Sequence, residues 1–115
     1  MIRGTAKFSA LRAPQLLAAT TGIRYYSPRK AAENLRKHGV DFADAIAALE
    51  DPNRLEEIDT RFEYGEERIQ TVGMAYGDVL FVIVTLRAED ICGIISARKA
   101  TREQDRYYAG NRETW

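Results

Sequence analysis

Residues 79–85 read Val79-Leu80-Phe81-Val82-Ile83-Val84-Thr85. This uncharged run, rich in β-branched side chains, argues for a strand buried on both faces. Turn chemistry bounds it on both sides, Ala75-Tyr76-Gly77-Asp78 before and Ala88-Glu89-Asp90 after. Its neighbours read as its partners. Residues 67–74 alternate well enough for a preceding strand, and residues 91–97 form a following one, so an antiparallel meander is expected. Residues 54–58 are a weaker strand candidate, followed by a polar loop over 59–65.

Upstream of the meander the period changes. Residues 23–26, Ile-Arg-Tyr-Tyr, suit a short strand. Ser27-Pro28 supplies an N-cap with proline at the first helical position. The helix expected over 28–37 places Ala31, Leu35 and Ala32 on one face, and Gly39 stops it after His38. Asp41 caps a second helix, with Phe42, Ala45, Ile46 and Leu49 at helical spacing up to Asp51-Pro52. Downstream, Thr101-Arg102-Glu103-Gln104 is a capping box that opens a last helix. Strand, two helices, meander, helix is the order of a small α+β domain.

The chain has 115 residues, which fits one domain, and 45% hydrophobic content, which suffices for a core. The domain is expected over residues 23–110. Residues 1–22 are basic, acid-free and rich in Ala and Thr, and are expected to be a poorly ordered extension. Residues 111–115 read as a C-terminal tail. One cysteine and one histidine exclude a disulfide framework and leave too few ligands for a metal cage, so neither metal nor cofactor is expected. No apolar run approaches a membrane span.

The formal charge is zero, but it is a sum of opposed patches. Residues 1–32 carry six basic groups and no acid. Residues 41–67 hold ten acids against Arg54 and Arg61, and residues 98–112 turn basic again. Neutrality therefore does not exclude a nucleic-acid partner.

Three arginines stand at strand ends: Arg68, Arg87 and Arg98. With a turn around Tyr76-Gly77, Arg68 and Arg87 are expected nearly opposite each other, with Glu66 or Glu67 as the nearest carboxylate. Such a pair is either a phosphate-binding fork or a surface ion-pair ladder. A second turn near Glu89 places Arg98 opposite residue 80, roughly 23 Å along the strand from Arg87. His38 is either a helix-end cap or a proton acceptor. Lys99, Arg102 and Arg106 can track a phosphate backbone, and Tyr107 and Tyr108 beside them either stack on bases or join the core.

The stretch Lys30-Ala31-Ala32-Glu33-Asn34-Leu35-Arg36-Lys37-His38-Gly39-Val40-Asp41-Phe42 resembles the start of BrnT family toxins. So do Gly65-Glu66-Glu67-Arg68, Thr85-Leu86-Arg87 and Ile94-Ile95-Ser96-Ala97-Arg98-Lys99-Ala100-Thr101, in the expected order. The chain departs from the pattern at Gly93, a position often basic in relatives, and at Tyr26-Ser27. The resemblance implies a RelE-like fold and the toxin half of a type II toxin–antitoxin pair. It implies a cytoplasmic, metal-independent ribonuclease that stops translation. Its antitoxin would be BrnA-like, carrying a ribbon-helix-helix DNA-binding domain, with toxin and antitoxin dimers in one hetero-oligomer. DNA would be reached only through the antitoxin. The family's arginines and glutamate fall on Glu67, Arg68, Arg87 and Arg98, with Glu67 or His38 as proton acceptor. Lys30, Lys37, Lys99, Arg102 and Tyr107 would contact RNA. The alternative is an inactive module that binds RNA or antitoxin and acts in operon autoregulation.

Overall fold

The run 79–85 lies inside an 11-residue strand, the longest of the sheet. The computed structural model describes residues 23–59, 67–88 and 91–113. The order is β1 (Ile23–Tyr25), α1 (Pro28–His38), α2 (Phe42–Leu49), β2 (Leu55–Ile58), β3 (Glu67–Ala75), β4 (Asp78–Ala88), β5 (Ile91–Lys99) and α3 (Arg102–Glu113). This is the expected α+β sequence of elements. The strands form one sheet in the order β1-β5-β4-β3-β2. All neighbours are antiparallel except β1, which runs parallel to β5. The extension 1–22 and the loop 60–66 lie outside the described residues.

The caps are those the sequence signals. The Ser27 hydroxyl accepts from Lys30 N–H at 3.3 Å, and Gly39, at φ 71°, closes α1 by donating to Leu35 O at 2.8 Å. The Asp41 carboxylate caps α2 through Ala43 N–H at 3.0 Å. Thr101 and Gln104 exchange both bonds of the capping box, at 2.9 and 3.1 Å. The β3–β4 hairpin turns on Tyr76 and Gly77, both at positive φ (50° and 93°), as a two-residue turn with twisted strands requires.

Helices cover the two faces of the sheet unequally. Val40, Phe42, Ala45 and Leu49 of the α1–α2 side pack on Ile69, Leu80, Val82, Val84 and Ile94. Here α2 approaches β3 so closely that a Cβ at Gly73 would overlap the Ala48 carbonyl oxygen. On the other face, Tyr108 of α3 packs with Leu55, Val72 and Phe81, near the β3–β4 turn. Burying both faces of β4 explains its unbroken apolar run.

One expectation about α1 changes. Leu35 is 48% exposed and Ala32 is exposed, whereas Asn34 is buried. The helix is anchored by a polar side chain flanked by Ala31, not by an apolar stripe through Leu35. A second polar anchor joins α3 to the α2–β2 corner. Asp51 accepts from Met74 N–H at 2.8 Å, from Asn53 N–H at 2.9 Å and from the Tyr108 hydroxyl. Beside it, Arg54 (2% exposed) donates through Nε to Glu56 (0% exposed) at 2.7 Å, and through Nη1 to Asp51 O at 3.1 Å. Among the described residues no helix is long and apolar enough to cross a membrane.

Candidate functional site

One row of paired positions crosses the whole sheet. Asp59 N–H donates to Arg68 O at 2.8 Å, Arg68 pairs with Thr85, Thr85 with Gly93, and Gly93 with Tyr25. Glu57 pairs with Gln70, two positions from Arg68, so strand alternation puts Glu57, Asp59, Arg68, Gln70 and Thr85 on one face. It is the same face that Leu55, Val72 and Phe81 present to α3. The face therefore divides. Its hairpin half is apolar and covered by α3; its other half is mainly polar, with Ile83 between the two. Asp59, Gln70 and Thr85 are buried there at 6%, 4% and 2%, and Glu57 and Arg68 are half-buried. Burying polar groups is costly unless they bond one another or a ligand, and here two carboxylates, on β2 and just past its end, share a face with the guanidinium of the neighbouring Arg68 on β3.

The observed register corrects the arginine geometry. Ala75 pairs with Asp78 across the two-residue turn, which puts Arg68 opposite Thr85 rather than Arg87. Arg87 falls at a register shift between Leu86 and Ala88, where β5 has no counterpart residue. The side chains of Glu67 and Arg87 lie outside the described residues. Along β3, Glu67 pairs with Leu86, one position out of step with Arg68. A bulge in β5, where Ile95 is skipped between Ile94 and Ser96, moves Arg98 from residue 80 to Phe81. The Arg98 guanidinium lies 4.4 Å over the Phe81 ring and donates to Lys99 O at 3.0 Å. Its row is four residues from that of Arg68, roughly 13 Å on the same face.

The remaining predicted residues divide between two places. Lys30, Lys37 and His38 line a cleft of about 200 Å³ between α1 and β5, together with Glu33, Asn34, Ile95 and Ser96. Positions 30, 33, 34 and 37 repeat at helical spacing, so one stripe of α1 forms this wall. Asn34 fixes the stripe to the sheet. Its Nδ2 donates to Val40 O at 3.0 Å and to Ala97 O at 2.8 Å, and its Oδ1 accepts from Ala97 N–H at 3.1 Å. Lys99, the last residue of β5, and Arg102, the first of α3, are exposed. Tyr107 is half-buried against the Leu55–Val72–Phe81 cluster and Tyr108 is fully within it, so both contribute to packing.

Comparison with known proteins identifies the family. Residues 26–104 match the family model described as the ribonuclease toxin, BrnT, of type II toxin–antitoxin systems. The chain belongs to the BrnT family. Its fold is similar to the 1.1 Å crystal structure of the ribonuclease toxin BrnT of Brucella abortus, with a TM-score of 0.52 and 22% identity. That match covers 70% of this chain and 99% of the other. No curated protein matches the sequence. The BrnT match takes in both the polar half-face and the α1–β5 cleft.

Three residues of these sites escape a reading of the sequence. Glu57 and Asp59 become neighbours of Arg68 only through the β2–β3 register, and β2 carries a weak strand signal. Asn34 interrupts the inward face of α1 directly after the Ala31 turn, which was the available sign. Among the described residues no cluster of three or more His, Cys, Asp or Glu is placed to hold a metal ion.

Proposed function

We propose that this BrnT family member cleaves RNA, without a metal ion, at the polar half-face around Arg68. The observation that supports it is the polar cluster in which half-buried Arg68 has Asp59, just past β2, opposite it, Glu57 of β2 diagonal to it, and Thr85 opposite on β4. RNA carries its own nucleophile. Its 2′-hydroxyl oxygen attacks the adjacent phosphorus, the bond to the 5′-oxygen breaks, and the products are a 2′,3′-cyclic phosphate and a 5′-hydroxyl. The Glu57 carboxylate takes the proton of the 2′-hydroxyl, and the 5′-oxygen is protonated from solvent. The Arg68 guanidinium binds two equatorial oxygens of the phosphorane, where its planar fork matches the developing charge. Arg98, held over the Phe81 ring, receives a neighbouring phosphate.

The protein acts on cytoplasmic RNA and stops translation, and a BrnA-like antitoxin neutralises it in a hetero-oligomer. The test is incubation of purified protein with RNA in EDTA, alongside Arg68→Gln and Glu57→Gln. Wild-type cleavage and its loss in both folded variants support the assignment; undiminished cleavage in Arg68→Gln overturns it.

One observation favours a second reading. The row of Arg68 passes through Gly93, which brings no side chain and so no second cation to the phosphate. A non-catalytic module that binds RNA or antitoxin in operon regulation would bind RNA in the same assay and yield no products.

A further inference from the structure

Resting on the ribonuclease reading, we propose that the α1–β5 cleft is a second contact site for the single-stranded RNA, separate from the cleavage row, in which Lys30 and Lys37 bind successive backbone phosphates. The cleft lies beyond β5, and β4 stands between β5 and Arg68, so it is a different place on the molecule. Its lining residues include two lysines and a histidine beside Ser96 and the apolar Ile95. That is the mixture a ribonucleotide presents in reverse: phosphate, sugar hydroxyl and base. Lys30, Lys37 and His38 are exposed, so the cleft opens to solvent. Lys30 and Lys37 are seven residues apart on one stripe of α1, about 10 Å of helix rise, so each ammonium can take its own phosphate.

The wall is pre-set. Asn34 bonds Val40 and both backbone groups of Ala97, which fixes the lysine-bearing stripe against the bulged segment at Ile95–Ser96. Three residues beyond Ser96, Lys99 at the end of β5 is a further exposed cation, as is Arg102 of α3. Glu33 is the one acidic group of the lining. It stands 3.9 Å from Arg36, and it opposes an anion at this place.

The probe is a single-stranded oligoribonucleotide with every 2′-hydroxyl methylated, which cannot be cleaved. Its affinity is measured against salt for wild type, the double variant Lys30→Ala/Lys37→Ala, Glu33→Gln and Arg68→Gln. The double variant should bind about tenfold more weakly, and its log–log salt slope should fall by about 1.4, the release expected for two single-strand phosphates. Glu33→Gln should bind more tightly. Unchanged affinity and slope in the double variant overturn the proposal, as does weaker binding by Glu33→Gln. Failure of wild type to cut unmodified RNA would overturn the cleavage reading alone, because binding of the methylated probe is scored independently. Loss of antitoxin neutralisation in the double variant with RNA affinity intact would assign the cleft to the protein partner and overturn the RNA proposal.

Discussion

Asn34 pairs with Ala97 as a neighbouring strand would: Oδ1 accepts the Ala97 N–H at 3.1 Å and Nδ2 donates to the Ala97 carbonyl at 2.8 Å. Strand β1 covers only residues 91–93 of β5, and this one side chain takes over the edge further along. It thereby ties α1 to the sheet and satisfies backbone groups that would otherwise be buried alone.

Replacing Asn34 should therefore be costly out of proportion to its size. Asn34→Ala removes three bonds and is expected to lose about 2–4 kcal/mol in urea unfolding. Asn34→Asp keeps the shape but turns a carboxylate toward two carbonyl oxygens. Burial against those oxygens raises the carboxyl pKa of the fold above its unfolded value of about 4, so the deficit should be largest at neutral pH and shrink on acidification. A variant of wild-type stability would remove Asn34 from this role.

Gly73 sits where α2 crosses β3. A methyl group there would overlap Ala48 O and come within 3.3 Å of Arg54 Cβ, and the first of these is backbone, which yields little. Gly73→Ala is expected to destabilise by about 1–3 kcal/mol despite the better strand propensity of alanine. Thermal unfolding of the two proteins decides it.

Tyr108 is the tie between α3 and the rest of the molecule, through its hydroxyl to Asp51. Tyr108→Phe keeps the ring in the Leu55–Val72–Phe81 cluster and removes only the hydroxyl. The expected loss is about 1–2 kcal/mol, with faster amide exchange concentrated in α3. Uniform acceleration across the sheet would contradict a local anchor.

These anchors also show what the sequence could reveal. Caps, the Tyr76-Gly77 turn and the apolar β4 run are local signals, since each depends on residues within a few positions, and all three appear in the fold as read. The helical amphipathicity of α1 was misleading because Asn34, a polar residue, faces inward while Leu35 faces out. Register was harder. One bulge at Ile95 moves Arg98 by a position, and a two-residue turn moves Arg68 from Arg87 to Thr85. A slip of one or two residues leaves the fold intact but changes which side chains meet. Elements were thus legible, whereas the grouping of Glu57, Asp59 and Arg68 depended on long-range pairing that no short motif encodes.

The Arg54–Glu56 pair offers the sharpest separation between a group that stabilises and one that is merely costly to orphan. Both side chains are almost fully buried, joined at 2.7 Å, and Arg54 is further tied to Asp51 O. Desolvating two charges offsets most of their attraction, so the pair adds little over an apolar pair of similar volume. Removing one partner is different, because the other charge then stays buried without its counterion. Glu56→Leu and Arg54→Met are each expected to lose about 3–5 kcal/mol, whereas Arg54→Met/Glu56→Leu together should lose much less than the sum of the two. A double-mutant cycle in urea measures this directly. Additive losses would mean that the two residues act independently, and would set aside the ion pair as the reason for their burial.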